Sequence, residues 1–229
     1  MNKSVEMLCA NSIIVCCVFI GVGLMGFAGW IPPLHADMDA QAVAAMFEQD
    51  RFRIQLGMTV LGMSAMFYWF FAAAIATQMQ RIEGEYHPLT RIQMTSSNGT
   101  AIALMLLAFI GLSMCYRSNI EPTALQLAND FWWLIFVGLW MPGVAQNLSI
   151  GICILQDKRP EAEMIYPRWV AFVNFWVAVS FAPGAYIAFF HTGPFSWHGI
   201  LGFWPVGIGF FLWAGVMWWA TVRAIKRAP

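Results

Sequence analysis

Apolar residues in this chain come in long unbroken runs. They do not alternate as in a half-buried strand, nor do they form the one-sided stripe of a helix lying on a water-soluble core. Six runs, roughly 9–31, 54–79, 92–116, 127–155, 166–190 and 198–222, are each long enough to cross about 30 Å of hydrocarbon. The pattern predicts an all-α fold: a polytopic membrane helix bundle of six transmembrane helices, forming a single domain over 1–229. The connections are short, so sequential helices are expected to pack antiparallel. The run from Met7 to Ile31 exceeds the apolar core of a signal peptide and lacks a small-residue cleavage site after it, so it reads as a retained first helix.

The fourth run organises the reading. Taken as one helix over Pro122–Gln156 and interrupted by Pro142, it places Gln126, Asn129, Trp133, Phe136, Trp140, Gly143 and Asn147 on a common face at about 100° per residue. That face is polar at both ends and aromatic between them. Asp130 is the carboxylate nearest the hydrocarbon edge. A charge there needs a counter-ion or a water cavity. Arg53, at the start of the second span, is the expected partner, with Arg51 next.

Basic residues set the orientation. With the first loop outside, Lys3, Arg81, Arg91, Lys158, Arg159, Arg168, Arg223, Lys226 and Arg227 are cytoplasmic, against Arg51, Arg53 and Arg117 outside. Nine against three is a positive-inside signal, so both termini are expected in the cytoplasm. Within the first outer loop, Asp39 to Asp50 turns helical, with Val43, Met46 and Phe47 on one side. This predicts a short helix, either on the membrane surface or packed on the bundle. Tyr166, Trp169, Trp197, Trp204, Trp218 and Trp219 fall near span ends, where amphipathic rings anchor helices.

Composition narrows the function classes. Only 10% of residues are charged and 60% are apolar, too greasy a surface for water, so the lipid bilayer is the expected partner. The formal net charge is zero, with no basic patch, which argues against nucleic acid. Five cysteines without C-x-x-C spacing predict neither a disulfide framework nor a zinc knuckle. Gly21–Gly26 matches G-x-G-x-x-G inside an apolar span, where a nucleotide fingerprint has no strand to follow. No cofactor is expected. No G-x-x-x-G pair occurs in the chain.

Two further groups carry candidate chemistry. Depth counting puts Asn98, Asn147 and Asn174 at similar heights, with Ser96, Ser97 and Thr100 nearby. They are either interhelical glue or a polar floor under a ligand cavity. On the outer side lie His35, His191 and His198, with Asp37 and Asp39. Imidazole and carboxylate together suit a transition metal. These residues come from separate loops, however, and are expected to be ordinary loop side chains. Phe195 and Trp197 in the last loop can dip into the outer interface or cover a cavity mouth, and core or interface packing is the default expectation for them.

Tyr166-Pro-Arg-Trp169, Asn174-Phe-Trp176, Thr192-Gly-Pro-Phe195, Trp197-His-Gly199, Phe203-Trp204-Pro205, Arg53-Ile-Gln-Leu-Gly57 and Asn129-Asp130 resemble an uncharacterised family of bacterial six-helix integral membrane proteins. The resemblance runs from about Pro32 to the C-terminus. It implies the architecture and a bacterial inner-membrane location, but no reaction; it associates weakly with steroid or hydrocarbon breakdown.

The residues themselves favour a bundle that binds or passes a small apolar or weakly polar molecule. Asn129, Asp130, Trp133, Trp140, Asn147, Asn174 and Arg53 are the candidate ligand-binding residues, with helices broken at Pro142 and Pro183 around them. Two alternatives stay open. One is a membrane-embedded enzyme using Asp130 as acid or base. The other is a non-catalytic subunit of a larger membrane complex or oligomer.

Overall fold

The computed structural model describes residues 2–228. The described chain is helical, and six of its helices are long and apolar enough to cross a membrane, which makes it a multi-pass membrane protein. The first span is α1 (Lys3–Gly21), continuing as a π-helical segment Val22–Ala28. Then follow α2 (Ala40–Glu83) and α3 (Pro88–Tyr116). The fourth span is divided into α4 (Pro122–Gly138) and α5 (Trp140–Leu155). The fifth is α6 (Arg168–Ser180), completed by two 3-10 turns, Ala182–Ala185 and Ile187–Phe189. The last is α7 (Trp204–Arg227).

The long second helix departs from expectation. The helical pattern at Asp39–Asp50 is not a separate surface helix; it is the first part of α2, which runs unbroken for 44 residues. At about 1.5 Å per residue this is about 66 Å, well beyond the hydrocarbon thickness. Asp39 starts it by accepting from Ala42 N–H at 2.8 Å. Val43 and Phe47 are buried, and the Phe47 ring meets Trp30 edge-on at 5.7 Å. The extension therefore packs on its own bundle.

The first two helices touch where the sequence offers no recognisable dimer motif. A Cβ on Gly57 would sit 2.5 Å from Gly23 O and 2.9 Å from Ala28 N. A Cβ on Gly23 would sit 2.7 Å from Gly57 O. One glycine from each helix thus permits backbone-to-backbone approach, the effect that paired small residues achieve in other membrane bundles. Gly29, at φ 69, then turns the chain out of the helix.

Polar cross-links gather at the end that carries both termini. Lys3 Nζ donates to Ala228 O at 2.5 Å. Gln78 donates to Glu6 at 2.9 Å, and Arg81 reaches Gln78 at 2.6 Å and Ala224 O at 3.2 Å. Arg159 donates to Arg81 O at 2.6 Å and pairs with Asp157 at 3.2 Å. Asp157, buried, also accepts from Ile165 N–H at 3.1 Å. Tyr166 is no interface anchor: it is fully buried, its hydroxyl 3.1 Å from Thr221 Oγ1.

The opposite end is closed by rings. Trp30, Trp132 and Trp133 meet at centroid distances of 4.7, 4.9 and 6.0 Å. Trp197 lies parallel to Trp133 at 6.5 Å and is likewise buried rather than anchored at an interface. Its indole donates to Leu34 O at 2.8 Å, which ties the last loop to the first. Trp132 donates to Leu107 O at 2.8 Å.

Candidate functional site

The fourth span breaks at Leu139, three residues before Pro142. A proline ring clashes with the carbonyl four residues back, here that of Gly138, and supplies no N–H to bond it. The chain leaves helical geometry at Leu139 (φ −82, ψ 60) and restarts with Pro142 in the first turn of α5, where its missing donor costs nothing. The start of α4 is also capped: Glu121 accepts from Ala124 N–H at 2.9 Å, which holds its carboxyl below the usual carboxylate range.

This break borders a cavity of about 680 Å³. Ile20, Leu24 and Met25 form one wall where α1 passes into its π segment. Thr100 to Leu107 of α3 form the back. Phe136, Leu139, Trp140 and Gly143 line it at the α4–α5 junction, and Phe181 where α6 gives way to 3-10 turns. The first half of α7, from Trp204 to Leu212, forms the last wall. Three departures from regular α-helix therefore meet at one cavity. Such segments inside helices recur at functional positions.

The cavity opens sideways. Helices α1 and α7 are bonded together near the termini, with Trp218 Nε1 donating to Asn11 Oδ1 at 2.9 Å and Ala10 packed on Ile225. Farther along, between Met25 and Ile208–Leu212, the lining side chains face outward, Met25 being 61% and Ile208 58% exposed. In a bilayer those surfaces meet acyl chains. Thr100 supplies the one hydroxyl of the lining, and it bonds weakly to Ser96 O at 3.4 Å. Trp140 and Trp204 add indole groups.

The candidate residues occupy several different places. Trp140 lines the cavity. Trp133 does not; it is fully buried in the ring cluster, touching Phe136 at 5.9 Å and Phe203 at 6.4 Å, both of which do line it. Asn129 and Asn147 are buried, each with a side-chain oxygen that finds no partner among the described residues. Asn147 donates to Gly143 O at 2.8 Å. Asn174 is fully engaged between α6 and α7: it donates to Val170 O at 2.8 Å and accepts from Trp213 Nε1 at 3.1 Å.

The expected pairing of Asp130 with Arg53 or Arg51 does not form. Arg53 pairs with Asp50 at 3.3 Å, and Arg51 with Glu48. Because α2 continues upstream of residue 50, each arginine has a carboxylate one turn back on its own helix, so no inter-helix partner is needed. Asp130, half-buried, forms no ion pair among the described residues; exposed His191 is its ionisable neighbour. The polar layer also differs from expectation, because Asn98 turns outward. Sequence reasoning missed a buried polar bond between α2 and α5, Tyr68 Oη to Gln146 Oε1 at 2.8 Å.

On the outer face of the ring cluster, His35, Asp37 and His198 come together, while His191 stays apart. Desolvation and the neighbouring His35 hold the pKa of His198 below its ordinary value, with Asp37 opposing.

No family model, curated protein or solved structure matches this chain.

Proposed function

We propose that this protein binds or passes a small apolar or weakly polar molecule that enters from the bilayer between α1 and α7. The observation that carries this reading is the laterally open cavity of about 680 Å³, placed where three helices lose α geometry. Its size falls within the range of about 300–1,000 Å³ typical of small-molecule sites. A nearly hydroxyl-free lining selects against charged or sugar-like ligands, because their polar groups would be left unpaired. Trp140 and Thr100 are the side chains able to orient a weakly polar group within it.

The positive-inside count supports a cytoplasmic location for the end that carries the termini, which puts the ring-capped end outside. The resemblance to bacterial membrane proteins supports an inner-membrane location. Asn129, Trp133, Asn147 and Asn174 then act around the site rather than in it, by setting helix positions, while Arg53 and Asp130 stay at the rim.

The test is mass spectrometry of organic extracts from protein purified in a gentle detergent. A hydrophobic small molecule present near one equivalent per chain, and absent from an unrelated six-helix protein purified in parallel, is expected. Only bulk lipid, in the same proportions in both, contradicts the proposal.

A further inference from the structure

His35 and Asp37 follow the first span, and His198 precedes the last. The fold brings them together. One possible ligand atom from each lies within 4.8 Å of the other two. His35 Nδ1 is 3.6 Å from Asp37 Oδ1, and the His35 and His198 rings are 4.5 Å apart at 33°. Two bonds bring the loops together, of which the Trp197 bond persists when an ion binds. Trp197 donates to Leu34 O, and Ala36 N–H donates to His198 Nδ1 at 3.0 Å across 162 residues of sequence. Asp39 is not part of the group, since it caps α2.

The geometry points to a site for one divalent first-row transition-metal ion, held by His35, Asp37 and His198, which clasps the loop after α1 to the loop before α7. Two imidazoles and a carboxylate are a borderline-soft donor set that suits zinc and its neighbours better than calcium or magnesium. Zinc–nitrogen bonds of about 2.0–2.1 Å in a tetrahedral shell put ligand atoms about 3.4 Å apart. The His35–Asp37 separation of 3.6 Å is already near that value, and the remaining ones, at most 4.8 Å, are left for rotation of the two exposed side chains to close. His35 and Asp37 have side chains 71% and 54% exposed, so both are free to turn.

His198 is the fixed member. Its Nδ1 accepts from Ala36 N–H and lies 3.2 Å from Ser196 Oγ. Ligation through Nε2 requires the proton on Nδ1. That Nδ1–H then donates to Ser196 Oγ, which itself donates to Gly193 O at 2.9 Å, and Ala36 N–H is released. The ion thus exchanges one backbone bond for an outer-shell bond of the kind that orients metal-bound histidines. Three protein ligands leave a position for water or another donor. The site is independent of whatever occupies the cavity.

The experiment uses the full chain, free of any histidine tag, in detergent after chelator treatment. Zinc chloride is titrated calorimetrically, and cobalt is followed by its visible spectrum. One ion per chain is expected, with cobalt bands of nitrogen and oxygen ligation and no thiolate charge-transfer band. H35A and D37N alter exposed side chains that no backbone bond depends on, so both should fold. Each should weaken binding beyond the roughly 10–100-fold that loss of an outer-shell partner costs. H191A and H87A should bind as the wild type does. Absence of saturable binding, unchanged affinity in H35A or D37N, or a thiolate band from the chain's cysteines would each overturn the assignment.

Discussion

Near the termini, Lys3, Glu6, Gln78, Arg81, Asp157 and Arg159 stitch helices together through charged or amide hydrogen bonds. At the opposite end, Trp30, Trp132, Trp133 and Trp197 close the bundle by ring packing, and Arg51 and Arg53 on its rim pair with neighbours on their own helix. The cavity lies between the rings and the polar stitching. Lipid gives no hydrophobic reward for bringing helices together, so a membrane bundle is held by packing and by polar bonds. The stitched end supplies that cohesion. The ringed end, relieved of it, tolerates broken helices and an unfilled space.

The sharpest way to break this contrast lies at the backbone-to-backbone contact between the first two spans. Gly57→Val drives a side chain into Gly23 O and the Ala28 backbone, and is expected to cost about 3 kcal/mol or more, seen as loss of folded protein in detergent. Gly215→Ala, whose new methyl group meets nothing within 4 Å, should instead stabilise by about 0.5–1 kcal/mol. At the stitched end, Asp157→Ala leaves Ile165 N–H without its acceptor and Arg159 with Arg81 O but no carboxylate. Because Arg159 is partly exposed, a loss of about 2 kcal/mol is expected in denaturant titration, rather than the full cost of a buried unpaired charge.

Smaller effects sharpen the same comparison. Asn174→Ala removes the tie to Trp213 and should cost about 1 kcal/mol, in line with hydrogen bonds inside membranes. At the rim, Arg53→Ala and Asp130→Asn should each change stability by less than about 0.5 kcal/mol. A rim substitution costing as much as Asp157→Ala would mean that charge holds both ends of the bundle.

Run length in the sequence was enough to reveal the six spans, because hydrocarbon thickness dictates it. The inward face of the fourth span was legible too. From Gln126 to Asn147, each residue of the predicted face is buried or half-buried, since helical periodicity survives the break at Leu139. Depth counting failed for Asn98 because it yields a height along the helix but no direction around it. The Arg53 pairing failed because α2 reaches back to Ala40, a length that hydropathy does not report where the helix leaves the hydrocarbon. The Gly23–Gly57 contact and the meeting of His35, Asp37 and His198 join residues far apart in the chain, and no local pattern encodes either. Of the candidate ligand residues, only Trp140 reached the cavity wall. Amides drew attention in the sequence, whereas the wall is made of leucine, isoleucine and phenylalanine that look like any other core.

The central claim is that the space between α1 and α7 is a binding site rather than a packing gap. Gly21 lines it in ordinary right-handed helical geometry, with nothing within 4 Å of where a Cβ would stand, so Gly21→Leu adds bulk at the wall with no clash at its Cβ. Native mass spectra of the wild type and this variant, released from the same detergent, compare the two directly. The account predicts a bound hydrophobic molecule on the wild type, its loss by at least tenfold from Gly21→Leu, and an unfolding temperature for the variant at or above that of the wild type. Equal occupancy in both proteins, or none in the wild type, would contradict it.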